Sequence, residues 1–128
     1  MSNITFKGFR ATSIEFINNH ENGHKIEFEN KYSYNMKYST NNTCVGEFTA
    51  EINDKNDPEK FHIKAVVLGF FTFKSGVAKE IIHVEAYKEL FPYVRALISS
   101  VTVSAGYPPV IIPAADIESQ SIYRFGNE

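Results

Sequence analysis

Residues 89–116 decide the fold of this chain, and they read ELFPYVRALISSVTVSAGYPPVIIPAAD. Apolar residues recur in the first half of this stretch at steps of three and four, which predicts one face of a helix. They are Leu90, Tyr93, Val94, Leu97, Ile98, Val101 and Ala105. Pro92 suits the first helical position, where its missing N–H costs nothing, and Gly106 suits the left-handed position after the last turn. We therefore predict a helix that begins at Pro92 and ends just before Gly106.

The second half of the stretch is apolar, yet it cannot form a regular element. Pro108, Pro109 and Pro113 exclude a helix and a central strand. We therefore expect an extended apolar loop over residues 107–115, the crossover loop. Its apolar residues are Tyr107, Val110, Ile111, Ile112, Ala114 and Ala115. The residues alone leave two interpretations open, because such a loop either covers the core or offers a binding surface.

Four segments upstream alternate between apolar and polar residues, which is the pattern of half-buried β-strands. These segments are residues 4–17, 26–38, 44–52 and 61–73. The first segment divides its apolar residues unevenly between its two faces, which predicts a β-bulge or two partly buried faces. Polar turns separate the segments, and one of them holds Asn22-Gly23, a strong hairpin signal. The pattern predicts four strands joined by turns.

The fourth segment is apolar on both faces near its end. His62 and Lys64 alternate outward, but Val66, Leu68 and Phe70 then occupy the face that should be polar. Two covered faces imply a helix on one side and another chain or a ligand on the other. Phe70 is therefore a candidate contact residue.

Four strands followed by a helix are typical of an α+β fold with an antiparallel sheet and helices on one of its faces. We expect one domain over residues 1–128, with a four-stranded sheet and a long helix. Residues 74–88 are hard to interpret, although residues 79–88 could open a helix that Pro92 interrupts. The tail after Ile117 fits a short C-terminal helix or a frayed end.

The composition limits the classes of function. A net charge of −2 and a pI near 6.1 give no basic surface for nucleic acid. The longest nearly apolar run, residues 65–73, is too short to cross a bilayer, and the polar N-terminus lacks the features of a signal peptide. We therefore expect a cytoplasmic protein without membrane insertion. The single Cys44 forms no internal disulfide and is expected to be a small buried hydrophobe.

One motif suggests catalysis, but its setting opposes it. Residues 20–24 read HENGH, the H-E-x-x-H pattern of zinc proteases, which requires both histidines on one helix. Asn22-Gly23 instead favours a hairpin loop. His83 and Glu85 lack an adjacent nucleophile, and the chain contains neither a G-x-S-x-G motif nor a glycine-rich phosphate loop. We therefore expect no enzymatic activity, no cofactor and no structural zinc.

Several of these pieces occur in an order that resembles the SecB family of bacterial protein-export chaperones. The specific pieces are Leu90-Phe91-Pro92-Tyr93-Val94-Arg95 and Tyr107-Pro108-Pro109, and the order of elements agrees back to about residue 4. The resemblance implies a four-stranded antiparallel sheet with helices on one face, assembled as a dimer of dimers. It also implies that the crossover loop forms one wall of a groove for unfolded polypeptide.

The resemblance assigns client-binding roles to four residues of the crossover loop. They are Tyr107, Val110, Ile111 and Ile112. Further candidates are Phe70 from the two-sided fourth segment and Ile122, Tyr123 and Phe125 from the tail. A groove of this kind accepts many sequences, because apolar walls bind by area and backbone hydrogen bonds do not depend on the side chain.

One departure from the family pattern concerns the SecA motor. The first strand of proteobacterial SecB carries Asp-Ile-Ser-Phe-Glu, whose acids help to dock SecA, whereas this chain has Ser13-Ile14-Glu15-Phe16-Ile17. The printed sequence also ends without the acidic extension of the family. SecA therefore stays an open partner, and a dedicated client such as an antitoxin or a phage protein is an alternative.

We interpret the chain as a homo-oligomeric, ATP-independent holdase of the SecB type that binds unfolded or precursor polypeptides during protein export. A second interpretation on the same scaffold is a non-chaperone oligomeric binding protein for one partner or one small apolar ligand. Protection of several unrelated unfolded proteins would favour the first interpretation. An enzyme would require turnover that depends on His20 or His24.

Overall fold

The computed structural model describes residues 3–19 and 27–112. Four strands and one helix follow each other in the order β1 (Ile4–Asn18), β2 (Phe28–Ser39), β3 (Thr43–Asp54), β4 (Phe61–Phe73) and α1 (Lys79–Ser104). The strands form one antiparallel sheet in the order β1-β4-β3-β2. The predicted α+β fold, with a four-stranded antiparallel sheet and a long helix, is therefore confirmed. The predicted short C-terminal helix lies outside the described residues.

The alternation in the sequence divides the sheet into two faces, as predicted. Alternate residues of β3 and β4 are buried, and α1 packs on this buried face, which we call the inner face. The buried apolar side chains of β4 are Phe61, Ile63, Ala65, Val67 and Phe71. Aromatic rings fill the contact with the helix, since the ring of Phe48 lies 5.7 Å from that of Tyr87 and 5.8 Å from that of Phe91. The core therefore lies between the inner face and α1.

The opposite face of the sheet, the outer face, also carries apolar residues. Val66, Leu68 and Phe70 alternate with the buried residues of β4 and are half-buried on this side. Arg10 of β1 lies over the ring of Phe70, with its Cζ atom 5.6 Å from the ring centroid. The prediction that β4 is apolar on both faces is therefore confirmed.

Two irregularities bend β1, which confirms the bulge that its uneven pattern predicts. Its pairing with β4 shifts register between Phe6 and Gly8 and again between Ala11 and Ser13. Gly8 has a φ of 140°, a conformation that L side chains rarely adopt. The first bulge places Phe6 and Phe9 on the same face, so that their rings stack at 6.5 Å.

The helix begins at Lys79, so the predicted start at Pro92 is wrong and the alternative in which residues 79–88 open the helix is confirmed, although Pro92 does not end it. Pro92 lies inside α1, where it cannot donate a hydrogen bond to the carbonyl of Lys88. Both residues are exposed, so water can satisfy that carbonyl. The turns before Pro92 are held by their own buried side chains. These are Ile82, His83, Ala86, Tyr87 and Leu90.

The buried face of α1 also differs from the predicted one. Leu90, Val94 and Ile98 are buried as expected, but Tyr93 is 41% exposed. The buried face follows residues four apart from Ile82 onward, which turns Tyr93 toward solvent. Within residues 3–19 and 27–112, no helix combines the length and the apolar character that a membrane span requires.

The end of α1 agrees with the prediction. Gly106 adopts a φ of 90°, in the left-handed region. The N–H of Tyr107 donates to the carbonyl of Thr102 at 3.0 Å, and the N–H of Gly106 donates to that of Val103 at 3.0 Å. These are the two bonds of a Schellman motif, which leaves Ala105 as the C-cap residue outside the helix. The motif sets the direction in which the chain enters the crossover loop.

Candidate functional site

One end of the sheet and the crossover loop enclose an apolar pocket of about 370 Å³, which we call the loop pocket. Its lining residues are Phe28, Phe61, Tyr107, Pro108, Pro109, Val110 and Ile111. β2 and β4 both pair antiparallel with β3, so they run in the same direction and start at the same end of the sheet. Phe28 and Phe61 are the first residues of these strands. The shared direction of the two strands therefore brings both rings to the pocket.

Aromatic rings form the rigid part of the loop pocket. Phe61 is only 2% exposed, and its ring lies 5.2 Å from that of Phe28 and 5.5 Å from that of Phe16 on β1. Phe16 in turn meets Tyr107 edge-on at 6.1 Å. Phe28 and Tyr107 are 44% and 36% exposed. The pocket therefore has a buried aromatic floor and a partly open rim.

Two side chains of α1 fasten the crossover loop. The N–H of Val110 donates to Thr102 Oγ1 at 2.9 Å, and the Nε–H of Arg95 donates to the carbonyl of Ile112 at 3.1 Å. Ile112 is 1% exposed, whereas Ile111 is 67% exposed. The loop therefore covers the core with Ile112 and presents Ile111 to solvent.

Burial shifts the pKa values of two core side chains toward their neutral forms. Desolvation lowers the pKa of His83 to about 4 and raises the pKa of Cys44 to about 11. Cys44 is buried, as predicted, and its thiol is not activated as a nucleophile. In the described part of the chain, no three His, Cys, Asp or Glu side chains come together to hold a metal ion. The HENGH run of residues 20–24 lies outside the described residues, so its interpretation as a hairpin loop stays a prediction.

The structure separates the residues that were predicted to bind clients. Tyr107, Val110 and Ile111 line the loop pocket, and Ile112 lies buried behind them. Phe70 lies on the outer face, near the opposite end of β4 from Phe61, so it does not belong to the loop pocket. The tail candidates Ile122, Tyr123 and Phe125 lie outside the described residues.

The sequence interpretation missed the aromatic wall of Phe16, Phe28 and Phe61, in which Phe28 and Phe61 line the loop pocket and Phe16 packs against Phe61. The alternation assigns each of these residues to a strand but does not reveal the order of the strands. The available signal was an aromatic residue near one end of three of the four strands, β1, β2 and β4. This signal becomes informative only when the strand order is known.

A second exposed apolar surface lies beside β1, formed by residues that do not line the loop pocket. The ring of Tyr93 lies 5.1 Å from that of Phe6 and 4.8 Å from that of Phe9, and we call these three residues the bulge cluster. Phe9 is 44% exposed, and Ile14 on the same strand is 47% exposed. β1 is an edge strand of the described sheet, so backbone groups lie next to this apolar surface.

The fold is an α+β scaffold with an apolar pocket at one end of its sheet, and such pockets are candidate binding sites. Residues 10–126 match the family model described as preprotein translocase subunit SecB. An uncharacterized protein of Methanocaldococcus jannaschii is 30% identical over 123 residues, which cover 89% of this chain and 79% of that protein. The chain therefore belongs to the SecB family, as its resemblance predicted. This membership supports a chaperone role, and the family consists of chaperones rather than enzymes.

Relatives named protein-export protein SecB match over shorter segments. The protein of Caulobacter vibrioides is 40% identical over 60 residues, which are 44% of this chain and 36% of that protein. The protein of Anaplasma marginale is 30% identical over 89 residues, which are 64% of this chain and 51% of that protein. These matches span about half or less of the length of the SecB relatives.

Two solved structures share the fold. A SecB-like chaperone of Mycobacterium tuberculosis, in complex with a peptide from an antitoxin, superposes with a TM-score of 0.69 at 13% identity, covering 88% of this chain and 91% of that one. A protein of unknown function from Streptococcus agalactiae superposes with a TM-score of 0.51 at 13% identity, covering 87% and 97%. At this level of identity the likeness establishes the fold.

Proposed function

We propose that this protein is an ATP-independent holdase of the SecB type, which covers apolar segments of unfolded polypeptides in the loop pocket. The observation that carries the proposal is the apolar rim of that pocket, where Tyr107, Phe28 and Ile111 are 36%, 44% and 67% exposed. Exposed apolar surface next to a pocket is typical of interaction sites. Membership in a chaperone family supports the same conclusion.

The loop pocket suits ligands that vary in sequence. Its walls are aromatic and aliphatic side chains, which gain binding free energy from buried area, at about 25 cal/mol per Å², rather than from specific pairing. Pro108 and Pro109 restrict the backbone of the loop, so that little conformational entropy is lost when a polypeptide binds. We therefore expect several unrelated unfolded polypeptides to bind without nucleotide.

The bulge cluster and Val103 near the end of α1 are the proposed contact between copies of this chain, with a dimer of dimers as the expected assembly. Phe9, Tyr93 and Val103 are 44%, 41% and 53% exposed. Full burial of a large apolar side chain contributes about 1.5–3 kcal/mol. A stable monomer would leave this surface in water, which favours an oligomer.

The proposed clients are precursor polypeptides in protein export, and a dedicated client is the second candidate. Ser13 and Ile17 stand where the resemblance to proteobacterial SecB implies SecA-docking acids, and Ile17 is 45% exposed. The Mycobacterium tuberculosis chaperone with this fold was solved with an antitoxin peptide, which supports a dedicated client as well. SecA stays an open partner.

The test measures how several unrelated, chemically unfolded proteins aggregate after dilution with or without this protein, in the absence of nucleotide. Ile111→Ser should weaken protection, because it removes an exposed apolar side chain from the pocket rim. Ile81→Ser is the matched control, since Ile81 is also exposed, at 45%, but does not line the loop pocket. Equal protection by Ile111→Ser and the parent protein would place client binding elsewhere. Protection of a single client would favour the dedicated chaperone.

A further inference from the structure

The hydroxyl of Thr102 in α1 is hydrogen-bonded to the crossover loop, although Thr102 does not line the loop pocket. Thr102 is fully buried, and its hydroxyl donates to the carbonyls of Ser99 at 2.9 Å and Ile98 at 3.2 Å. The proton of the hydroxyl is therefore used inside the helix, while its lone pairs can still accept. One of them accepts the N–H of Val110 at 2.9 Å.

The N–H of Val110 needs this acceptor. Pro108 and Pro109 have no N–H, so Val110 carries the first loop donor after Tyr107, and its hydrogen bond is partly buried. A buried N–H without a partner is costly. Valine has nearly the same shape and helix propensity as threonine, so the requirements of the helix alone do not explain why position 102 carries a hydroxyl. The loop amide does explain it.

Arg95 forms the second contact, two helical turns before Thr102. Its Nε–H donates to the carbonyl of Ile112 at 3.1 Å, and its Cζ atom lies 5.2 Å from the ring centroid of Phe91, which restricts the side chain. Seven residues make about two turns, so both anchors lie on one side of α1, about 10 Å apart along the axis. The loop therefore runs back along α1, with Ile112 held inward and Ile111 left outward.

We propose that Thr102 and Arg95 are positioning residues that hold the crossover loop as a preformed wall of the loop pocket, an inference that rests on the proposed binding function. Their two hydrogen bonds fix the backbone on both sides of Ile111. The free protein then already has the conformation that binds. Without these bonds the polypeptide would have to order the loop, and the lost conformational entropy would weaken binding.

The experiment compares Thr102→Val, Thr102→Ser and Arg95→Met with the parent protein. The probe is fluorescein-labelled α-lactalbumin, reduced and carboxymethylated so that it stays unfolded, and its Kd is measured by fluorescence anisotropy. We expect Thr102→Val to raise the Kd about threefold to tenfold, the range of one net hydrogen bond, and to speed hydrogen exchange at Val110. Thr102→Ser keeps the acceptor and should leave both values unchanged. Arg95→Met should raise the Kd by a similar factor at unchanged oligomer mass.

A merely structural role of Thr102 predicts a different result. Thr102→Val would then lower the melting temperature but leave the Kd unchanged at temperatures where the protein is folded, and this outcome overturns the proposal. If Thr102→Val does not fold, the Kd of Arg95→Met tests the proposal in its place, and a raised Kd at unchanged oligomer mass would support it. If the parent protein does not bind the probe, the proposed function is refuted. If the parent protein binds the probe and Arg95→Met binds it with the same Kd, only the positioning role is refuted.

Discussion

Acidification should destabilise this protein through one buried histidine. His83 of α1 is fully buried, its ring lies 4.7 Å from that of Tyr34, and burial lowers its pKa to about 4. In the unfolded chain the pKa returns to the ordinary value of 6.5, so the unfolded state binds more protons between these two values. The contribution of neutral His83 to stability is therefore complete above about pH 6.5 and is lost as the pH falls to about 4.

The size of this effect follows from the two pKa values of His83. The difference between 6.5 and about 4 corresponds to about 3 kcal/mol, at about 1.4 kcal/mol for each pH unit. About 2 kcal/mol of it should be lost by about pH 5. The total free energy of unfolding of a domain is about 5–15 kcal/mol, so the loss is a large fraction of it.

Urea unfolding at about pH 7 and about pH 5 measures the loss. His83→Phe is the comparison, because it keeps an aromatic ring beside Tyr34 but does not titrate. The free energy of unfolding of the parent protein should fall by about 2 kcal/mol more than that of His83→Phe. Equal losses in the two proteins would refute the reasoning, since all other titrating groups are common to both.

Three further predictions concern packing, assembly and metal. Gly69→Ala should lower the free energy of unfolding by about 1–3 kcal/mol, because a Cβ atom would lie 2.9 Å from Phe71 Cε2 and 3.0 Å from Leu90 Cδ1; an unchanged urea midpoint would contradict this. Light scattering should report about four chains for the parent protein and fewer for Phe9→Glu, which places a charge in the bulge cluster. A monomeric parent protein would contradict the proposed assembly. Chelation should leave the melting temperature unchanged, because structural zinc needs four fixed ligands, and a drop of several degrees would count against this.

The strands could be predicted because alternation of apolar residues reports burial on one face. The positions of the two bulges in β1 could not be predicted, since a slip of one residue moves every following side chain to the other face. Only the register with β4 shows that Lys7 is the extra residue between Phe6 and Gly8. Strict alternation puts residues three apart on opposite faces, so the pattern alone does not bring Phe6 and Phe9 together, and the bulge cluster could not be predicted from it.

The continuation of α1 through Pro92 was not predicted, because local sequence rules include the cost of a proline inside a helix but not the burial of distant side chains that offsets it. A proline inside a helix costs about 3 kcal/mol or more. Ile82 and Tyr87, which lie before Pro92, are 1% and 4% exposed, and burial of such side chains contributes about 1.5–3 kcal/mol each. The carbonyl that loses its hydrogen bond belongs to the exposed Lys88, so water can replace that bond. The remaining cost of Pro92 is smaller than the free energy gained by burying these side chains.

The sequence pattern also could not predict which residue of the crossover loop is buried and which is exposed. Ile111 and Ile112 are identical in type, and prolines on both sides remove the periodicity that would assign them to a face. The assignment instead depends on Thr102 and Arg95, which belong to a different element and are polar. Replacement of both isoleucines at once would therefore mix loss of core packing at Ile112 with loss of the proposed binding surface at Ile111.

The aromatic packing behind the loop pocket depends on the first strand lying beside the fourth, although no residue of β1 lines the pocket itself. Phe16 is opposite Ile63 in the β1–β4 register, which brings its ring to Phe61 and onward to Tyr107. If the strands had followed each other in sequence order, β1 and β4 would lie at opposite edges, about 14 Å apart at about 4.8 Å for each strand, and this aromatic wall would not form. Changes that weaken the β1–β4 pairing should therefore remove the packing of Phe16 against Tyr107, while the contact between α1 and Phe48 persists. The aromatic wall is a consequence of topology, and the aromatic residues at the strand ends become a recognisable signal only when β1 is placed next to β4.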